Sequence, residues 1–81
     1  MKRIVWTAQA RADVRNLSKP AAMQVLSGLH RFAESGVGNV KTLQGQPELR
    51  LRAGDYRILF VWSDPDALEI LRVRHRKDAY R

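Results

Sequence analysis

Arginine recurs at alternate positions in the C-terminal half of the chain, in a pattern that favours phosphate binding. Arg50 and Arg52 alternate with leucine in LRLR, and Arg57 follows a Gly54-Asp55 pair that predicts a tight turn. Side chains of a strand alternate between its two faces, so Arg50 and Arg52 share a face that Arg57 can approach from the next strand. Guanidinium groups offer paired, charge-assisted hydrogen bonds that match phosphate oxygens. The spacing therefore predicts a basic patch on neighbouring strands.

The C-terminal segment RVRHRKDAYR extends this patch and adds groups capable of proton transfer. It adds the cations Arg72, Arg74, Arg76 and Lys77 to a surface that could bind RNA. His75 and Tyr80 are the nearby residues with acid–base chemistry. Histidine titrates near neutral pH, whereas free tyrosine has a pKa of about 10 and needs cationic neighbours to lower it. The sequence leaves open which of the two would be the base.

These residue types are sufficient for the cleavage of RNA without a metal ion. The 2′-hydroxyl attacks the adjacent phosphorus once a base takes its proton, and an acid protonates the departing 5′-oxygen. Cations must hold the charge that builds on the phosphate. The candidates for this cationic role are Arg50, Arg52, Arg57 and Arg76.

Each of these residues also has a purely structural interpretation. Alternating arginines are common on the solvated face of a strand, and Arg57 could pair with a neighbouring carboxylate. A histidine in a basic tail is most often a surface residue, and Tyr80 could pack its ring on the sheet. The possible ion-pair partners of Arg57 are Glu48, Asp55 and Glu69. The aromatic residues predicted in the core are Trp6, Phe60 and Trp62.

Composition excludes several kinds of site. The 81 residues include no cysteine and two histidines, which leaves no metal-ligand spacing. Neither a glycine-rich phosphate loop nor a GxSxG nucleophile motif occurs. We therefore expect neither a metal nor a cofactor.

The charge of the chain indicates the kind of partner. Fifteen Lys+Arg against eight Asp+Glu give a net charge of +7, which favours nucleic acid, an anionic membrane or an acidic protein. No stretch approaches the ~18 apolar residues of a membrane span, and no apolar run typical of a signal peptide follows the N-terminal basic residues. The expected location is the cytoplasm.

The N-terminal half predicts one strand and two helices. A short strand over 2–6 precedes a helix that Thr7 caps and that runs to Leu17. Ser18 caps a second helix, which ends at Gly36. The apolar stripe of this second helix consists of Ala22, Val25, Leu26, Leu29, Phe32 and Ala33.

The C-terminal half predicts strands separated by turns. The predicted strands are 49–52, 56–62 and 68–73, with a short extended segment at 40–43 and a polar tail from Arg74. The run YRILFVW is nearly all apolar, which predicts a central strand covered on both faces. The order β-α-α-β-β-β predicts a single α+β domain over 1–81, with both helices on one face of a small antiparallel sheet.

The chain resembles the RelE/ParE superfamily of bacterial toxins. The resemblance is carried by the β-α-α-β-β-β order and by two segments, LQGQPELRLRAGDYRILF and ILRVRHRKDAYR. The resemblance spans nearly the whole chain, and its most specific pieces are LRAGDYR and HRKDAY. It implies the toxin of a type II toxin–antitoxin pair. RelE-like members cut mRNA in the ribosomal A site, whereas ParE-like members inhibit DNA gyrase.

Carried over by position, the resemblance assigns the RelE-like site to Arg50, Arg52, Arg57, Arg76 and Tyr80. The chain departs from that pattern at Glu48, where some RelE-like toxins have lysine, and at His75, whose counterparts in the best-known members are not catalytic. The implied partners are the ribosome, mRNA and a cognate acidic antitoxin that covers the toxin in a hetero-oligomer.

Three functions stay open at this point. The ending HRKDAY favours a ribosome-dependent mRNA endonuclease that inhibits translation. A ParE-like gyrase inhibitor has no nuclease chemistry and would tolerate the loss of Tyr80 and His75. The third is an inactive relative that binds RNA, which Glu48 favours because it adds an acid to the basic cluster.

Overall fold

The computed structural model describes residues 2–42 and 44–78 and confirms an α+β domain. Its elements are β1 (Arg3–Trp6), α1 (Ala8–Arg15), α2 (Lys19–Ser35), β2 (Asn39–Thr42), β3 (Leu49–Ala53), β4 (Tyr56–Asp64) and β5 (Ala67–His75). The predicted extended segment is thus a true strand, β2. β5 continues through Arg74 and His75, which the sequence assigned to a tail. Neither helix in the described ranges is long and apolar enough to cross a membrane.

The five strands form one sheet in the order β1-β5-β4-β3-β2. Antiparallel pairing joins β2, β3, β4 and β5 in succession. β1 is parallel to β5, so the sheet is mixed rather than wholly antiparallel as predicted. Two helices and three strands intervene between β1 and β5, so no tight turn dictates their relative direction.

Local capping signals begin both helices and end α2 where the sequence predicts, whereas α1 ends at Arg15 and not at Leu17. The hydroxyl of Thr7 accepts the N–H of Ala10 at the start of α1, and the hydroxyl of Ser18 accepts the N–H of Ala21 at the start of α2. Gly36 ends α2 in the left-handed conformation with φ 76°, which a residue without a side chain adopts at little cost. These three predictions are confirmed.

The core lies between α2 and one face of the sheet. The buried residues of α2 recur every fourth position, at Ala21, Val25, Leu29 and Ala33. The predicted stripe was wider, and Leu26, which it included, is 42% exposed. One position beyond Val25 is about 100° further around the helix, so Leu26 points away from the sheet.

The aromatic predictions are only partly confirmed. Phe60 is fully buried, and Trp6 packs against the core. Trp62 was predicted in the core, but it is 44% exposed. Its ring meets Phe32, in the last turn of α2, at a centroid distance of 6.3 Å. The helix ends at this point, so one side of the indole stays in solvent.

Asp13 fastens α1 to the edge of β5. β1 pairs with β5 only as far as Ile70, so the N–H of Val73 lies beyond the last residue of that pairing. The Asp13 carboxylate accepts this N–H at 2.9 Å and Nε of Arg72 at 2.9 Å. Partial burial acts to raise the pKa of Asp13, but hydrogen bonds from Arg72, the Val73 N–H and Gln9 outweigh it and lower the pKa below its ordinary value.

We expect Asp13→Asn to lower the free energy of unfolding at pH 7 by about 1–3 kcal/mol, because Arg72 loses its ionic acceptor. Folding lowers the pKa of Asp13, so its contribution is complete above the unfolded value of about 3.9 and is lost as the pH falls through the folded pKa. Urea unfolding of both proteins should therefore give curves that converge in acid. A difference that stays constant down to pH 2, or that Asp78→Asn reproduces, would contradict this role.

Candidate nucleic-acid interface

A row of arginines crosses the sheet on the face opposite the helices. Arg52 of β3 lies opposite Arg57 of β4, which in turn lies opposite Arg74 of β5. Residues directly opposite on adjacent strands point to the same face, and the strands are about 4.8 Å apart. Asn39 of β2 pairs with Arg52 and continues the row.

A second row runs beside the first. It contains Lys41 of β2, Arg50 of β3 and Leu59 of β4. A small cleft between the two rows is lined by Asn39, Lys41, Arg50, Arg52 and Arg57. The basic face, as used below, consists of Lys41, Arg50, Arg52, Arg57 and Arg74. β4 was predicted to be covered on both faces, but its fully buried residues, Ile58 and Phe60, lie on one face only, where they join the core with the buried residues of α2.

Three of the five cations in the basic face have no partner among the described residues. Within residues 2–42 and 44–78, the side chains of Lys41, Arg52 and Arg74 form neither a hydrogen bond nor an ion pair. Like charges directly opposite one another on adjacent strands destabilise a sheet. A phosphate group placed among them would relieve this repulsion and accept paired hydrogen bonds. The arrangement is therefore suited to a phosphate-rich ligand.

Arg57 is held at the centre of the row by the β3–β4 turn. Its Nη1 donates to the carbonyl oxygens of Gly54 and Tyr56, each at 3.1 Å. The predicted alternative, an ion pair with a nearby carboxylate, does not occur among the described residues. Neutral carbonyls orient the guanidinium without neutralising it, so its full charge is available to a ligand.

Arg76 and Lys77 follow β5 in a turn next to the same hairpin. The N–H of Arg76 donates to the carbonyl of Asp55 at 2.7 Å, and its Nε lies 4.0 Å from the Asp55 carboxylate. Both side chains are exposed. Arg57 and Arg76 are thus anchored to consecutive residues of one turn, Gly54 and Asp55. The sequence predicted that these two arginines share a site, and the structure brings them to the same end of the sheet.

His75 lies on the other side of the sheet from the arginines. It pairs with Tyr56, and the two rings meet edge to face with centroids 5.3 Å apart. Strand alternation puts Arg74 on the basic face and His75 on the helix side. The sequence predicted an acid–base group beside the arginines, and the described geometry does not bring His75 there.

Two other predicted members of the patch have different outcomes. Arg72 was expected to extend it, but its guanidinium bonds to Asp13 of α1. Tyr80 lies outside the described residues, so its part in the site stays a prediction. Within the described ranges, no cluster of three His, Cys, Asp or Glu side chains is placed to hold a metal ion.

Sequence reasoning missed the contribution of β2. Lys41 lies opposite Arg50, and Asn39 lies opposite Arg52, so both join the basic face. The signal was present in the alternation of NVKT, whose polar side chains match the arginines of LRLR. This alternation places Asn39 and Lys41 beside the arginines only once the pairing of β2 with β3 is known.

We expect Arg52→Ala to weaken binding to single-stranded RNA and to make it less dependent on salt. Each phosphate contact contributes about 0.7 to the slope of log affinity against log salt, and the variant should lose about one such contact. Fluorescence anisotropy with a labelled oligonucleotide over a salt series measures the slope. Arg31→Ala, which removes one exposed charge from α2, is the matched control and should leave the slope unchanged. Equal slopes for wild type and Arg52→Ala would remove Arg52 from the interface.

The sequence matches the model of a known protein family over nearly its whole length. The model described as the ParE toxin of a type II toxin–antitoxin system, parDE, matches residues 4–80. A search among curated proteins found no significant match.

Solved structures share the fold across nearly their whole length. A chain of the archaeal RelE–RelB complex from Pyrococcus horikoshii OT3 has a TM-score of 0.73 and 24% identity, over 96% of this chain and 98% of that one. A chain of the RelBE2 toxin–antitoxin complex from Mycobacterium tuberculosis has a TM-score of 0.71 and 26% identity, over 93% and 98%. The YoeB/ParE toxin from Agrobacterium tumefaciens has a TM-score of 0.72 and 14% identity, over 90% and 96%.

Proposed function

The chain belongs to the ParE toxin family of type II toxin–antitoxin systems, and from this premise we propose that it inhibits translation by cutting mRNA on the ribosome. The proposal includes a cytoplasmic location, where ribosomes and mRNA are found. It also includes a cognate antitoxin as the partner that holds the activity in check. Complexes of RelE with RelB among the structural neighbours support that partner.

The observation that carries the proposal is the row formed by Arg52, Arg57 and Arg74. Three cations in line on adjacent strands match a ligand whose negative charges repeat along a backbone. Two of them form no hydrogen bond or ion pair in the described part of the chain. The third, Arg57, is oriented by the carbonyl groups of its turn and keeps its charge.

The chemistry is an attack by the RNA on itself. The 2′-oxygen forms a bond to the adjacent phosphorus, the bond to the 5′-oxygen breaks, and the products are a 2′,3′-cyclic phosphate and a 5′-hydroxyl. The proton of the 2′-hydroxyl goes to a base, and the departing oxygen gains a proton from an acid. Arg57 and Arg76 would stabilise the charge on the phosphate, and Tyr80 is the residue we assign to proton transfer.

Brief induction in a bacterial host, followed by mapping of mRNA 5′ ends within minutes, tests the proposal. We expect new ends inside coding sequences, in register with codons, and no such ends in untranslated RNA. A translation inhibitor that blocks the ribosomal A site should abolish them. Growth arrest without new RNA ends would overturn the nuclease proposal.

A second candidate is inhibition of DNA gyrase without nuclease chemistry. The observation that favours it is the family model itself, whose description is that of the ParE toxin. This candidate predicts growth arrest with DNA breaks and loss of supercoiling, and no codon-phased RNA ends. The same induced cultures distinguish the two, because plasmid topology can be measured beside the RNA.

A further inference from the structure

We propose that His75 is a positioning residue, which fixes the turn that carries Arg76, and not the acid or base of the reaction. The inference rests on the proposed function in taking Arg76 as a residue of the active site. Its geometry is independent of that function, because it depends only on hydrogen bonds around the end of β5.

The imidazole closes a turn through its own backbone. Nδ1 of His75 accepts the N–H of Lys77 at 3.2 Å, and the carbonyl of His75 accepts the N–H of Asp78 at 2.8 Å. A side chain that accepts the N–H two residues ahead imitates a backbone turn, as Asn and Asp commonly do. The ring nitrogen therefore acts as a local acceptor that bends the chain directly after the strand.

The ring itself is held from the helix side of the sheet. Its edge-to-face contact with Tyr56, at 5.3 Å between centroids, prevents free rotation of the side chain. Because Nδ1 accepts a hydrogen bond, the neutral ring must carry its proton on Nε2. A nitrogen already used for the turn, on a ring that faces away from the arginines, is poorly placed to take a proton from RNA on the basic face.

Arg76 lies between the two hydrogen-bonded ends of this turn and is also tied to the neighbouring hairpin. Its N–H bonds to the carbonyl of Asp55, next to Gly54, whose carbonyl accepts from Arg57. The His75 turn and the Asp55 contact thus determine together where the Arg76 side chain begins. Loss of the turn would release Arg76 from its position relative to Arg57 without removing either charge.

Three variants separate positioning from proton transfer. His75→Asn keeps an acceptor at the place of Nδ1 and loses the ring, whereas His75→Phe keeps the ring and loses the acceptor. We expect the growth-arresting activity of His75→Asn to stay within about threefold of the wild-type activity. The activity of His75→Phe should fall about tenfold, a factor that corresponds to the loss of one hydrogen bond. His75→Gln, whose oxygen lies one bond further out, should resemble His75→Phe.

Growth arrest measures the activity of the toxin whatever its target is. Hydrogen exchange of the Lys77 amide measures the stability of the turn, independently of any activity. We expect this exchange to be about tenfold faster in His75→Phe than in wild type, and close to wild type in His75→Asn. Equal loss of activity in the Asn and Phe variants would assign His75 to proton transfer and overturn the proposal. Full activity of both, or unchanged Lys77 exchange in His75→Phe, would overturn it as well. Codon-phased cleavage is scored separately, so its absence contradicts the nuclease proposal alone.

Discussion

Replacement of Arg57 by alanine is expected to reduce mRNA cleavage by about 10²–10³-fold, which is the loss typical for one preorganised group that stabilises a transition-state charge. The fold should survive, because among residues 2–42 and 44–78 the guanidinium bonds only to carbonyl oxygens at the β3–β4 turn, where water can replace it. Counting new 5′ ends per minute of induction measures the effect. Far-UV circular dichroism during thermal unfolding shows whether the variant is folded.

Arg57→Lys is the informative control for this prediction. Lysine keeps the charge, but its single ammonium cannot orient itself on two carbonyls and offer a paired edge to phosphate at the same time. We therefore expect activity between those of wild type and Arg57→Ala. Arg31→Ala removes an exposed arginine from α2 and should be fully active. Wild-type cleavage by Arg57→Ala would exclude Arg57 from the reaction and would place the function of the row in binding alone.

The parts of the fold that sequence predicts well are those with local causes. Thr7, Ser18 and Gly36 each act on residues within one turn of a helix, so their effect can be judged without knowing the rest of the chain. The alternation of LRLR likewise needs only the period of a strand. These signals were sufficient to predict most of the elements and the shared face of Arg50 and Arg52.

The predictions that the structure contradicts concern contacts between residues distant in sequence. Arg72 was assigned to the patch by its position in RVRHR, but its partner, Asp13, lies 59 residues away on α1. The parallel direction of β1 is set by pairing with β5, which no local pattern reports. Trp62 is exposed because α2 ends beside it, and a strand pattern contains no information on the length of a distant helix.

The face of the sheet on which His75 lies is a different case, because a local rule could have predicted it. Strand alternation puts Arg74 and His75 on opposite faces if β5 includes both residues. The basic composition of the segment suggested an irregular tail, so the rule was not extended beyond Val73. β5 in fact runs to His75, and its pairing with Tyr56 continues the same register. Charge alone was therefore a poor guide to where this strand ends.

A different prediction concerns the contact that sets the distance between α2 and the strand bearing Arg50 and Arg52. Gly28 of α2 faces Ala53 of β3, and a Cβ placed on Gly28 would lie 2.9 Å from the Cβ of Ala53. We expect Gly28→Leu to lower the free energy of unfolding by about 1–2 kcal/mol, because an overpacking cost of about 3 kcal/mol exceeds the gain of about 1 kcal/mol in helix propensity. Denaturant unfolding measures the change.

The control for this prediction lies one residue earlier on the same helix. Ser27 is exposed, so Ser27→Leu adds a similar side chain without meeting the sheet and should change stability by less than about 0.5 kcal/mol. If the clash with Ala53 is the cause, Gly28→Ala should be more stable in an Ala53→Gly background than the separate effects of the two changes predict. Strict additivity, or a stable Gly28→Leu protein, would mean that α2 can move away from β3. The arginines of β3 would then not depend on close helix packing for their position.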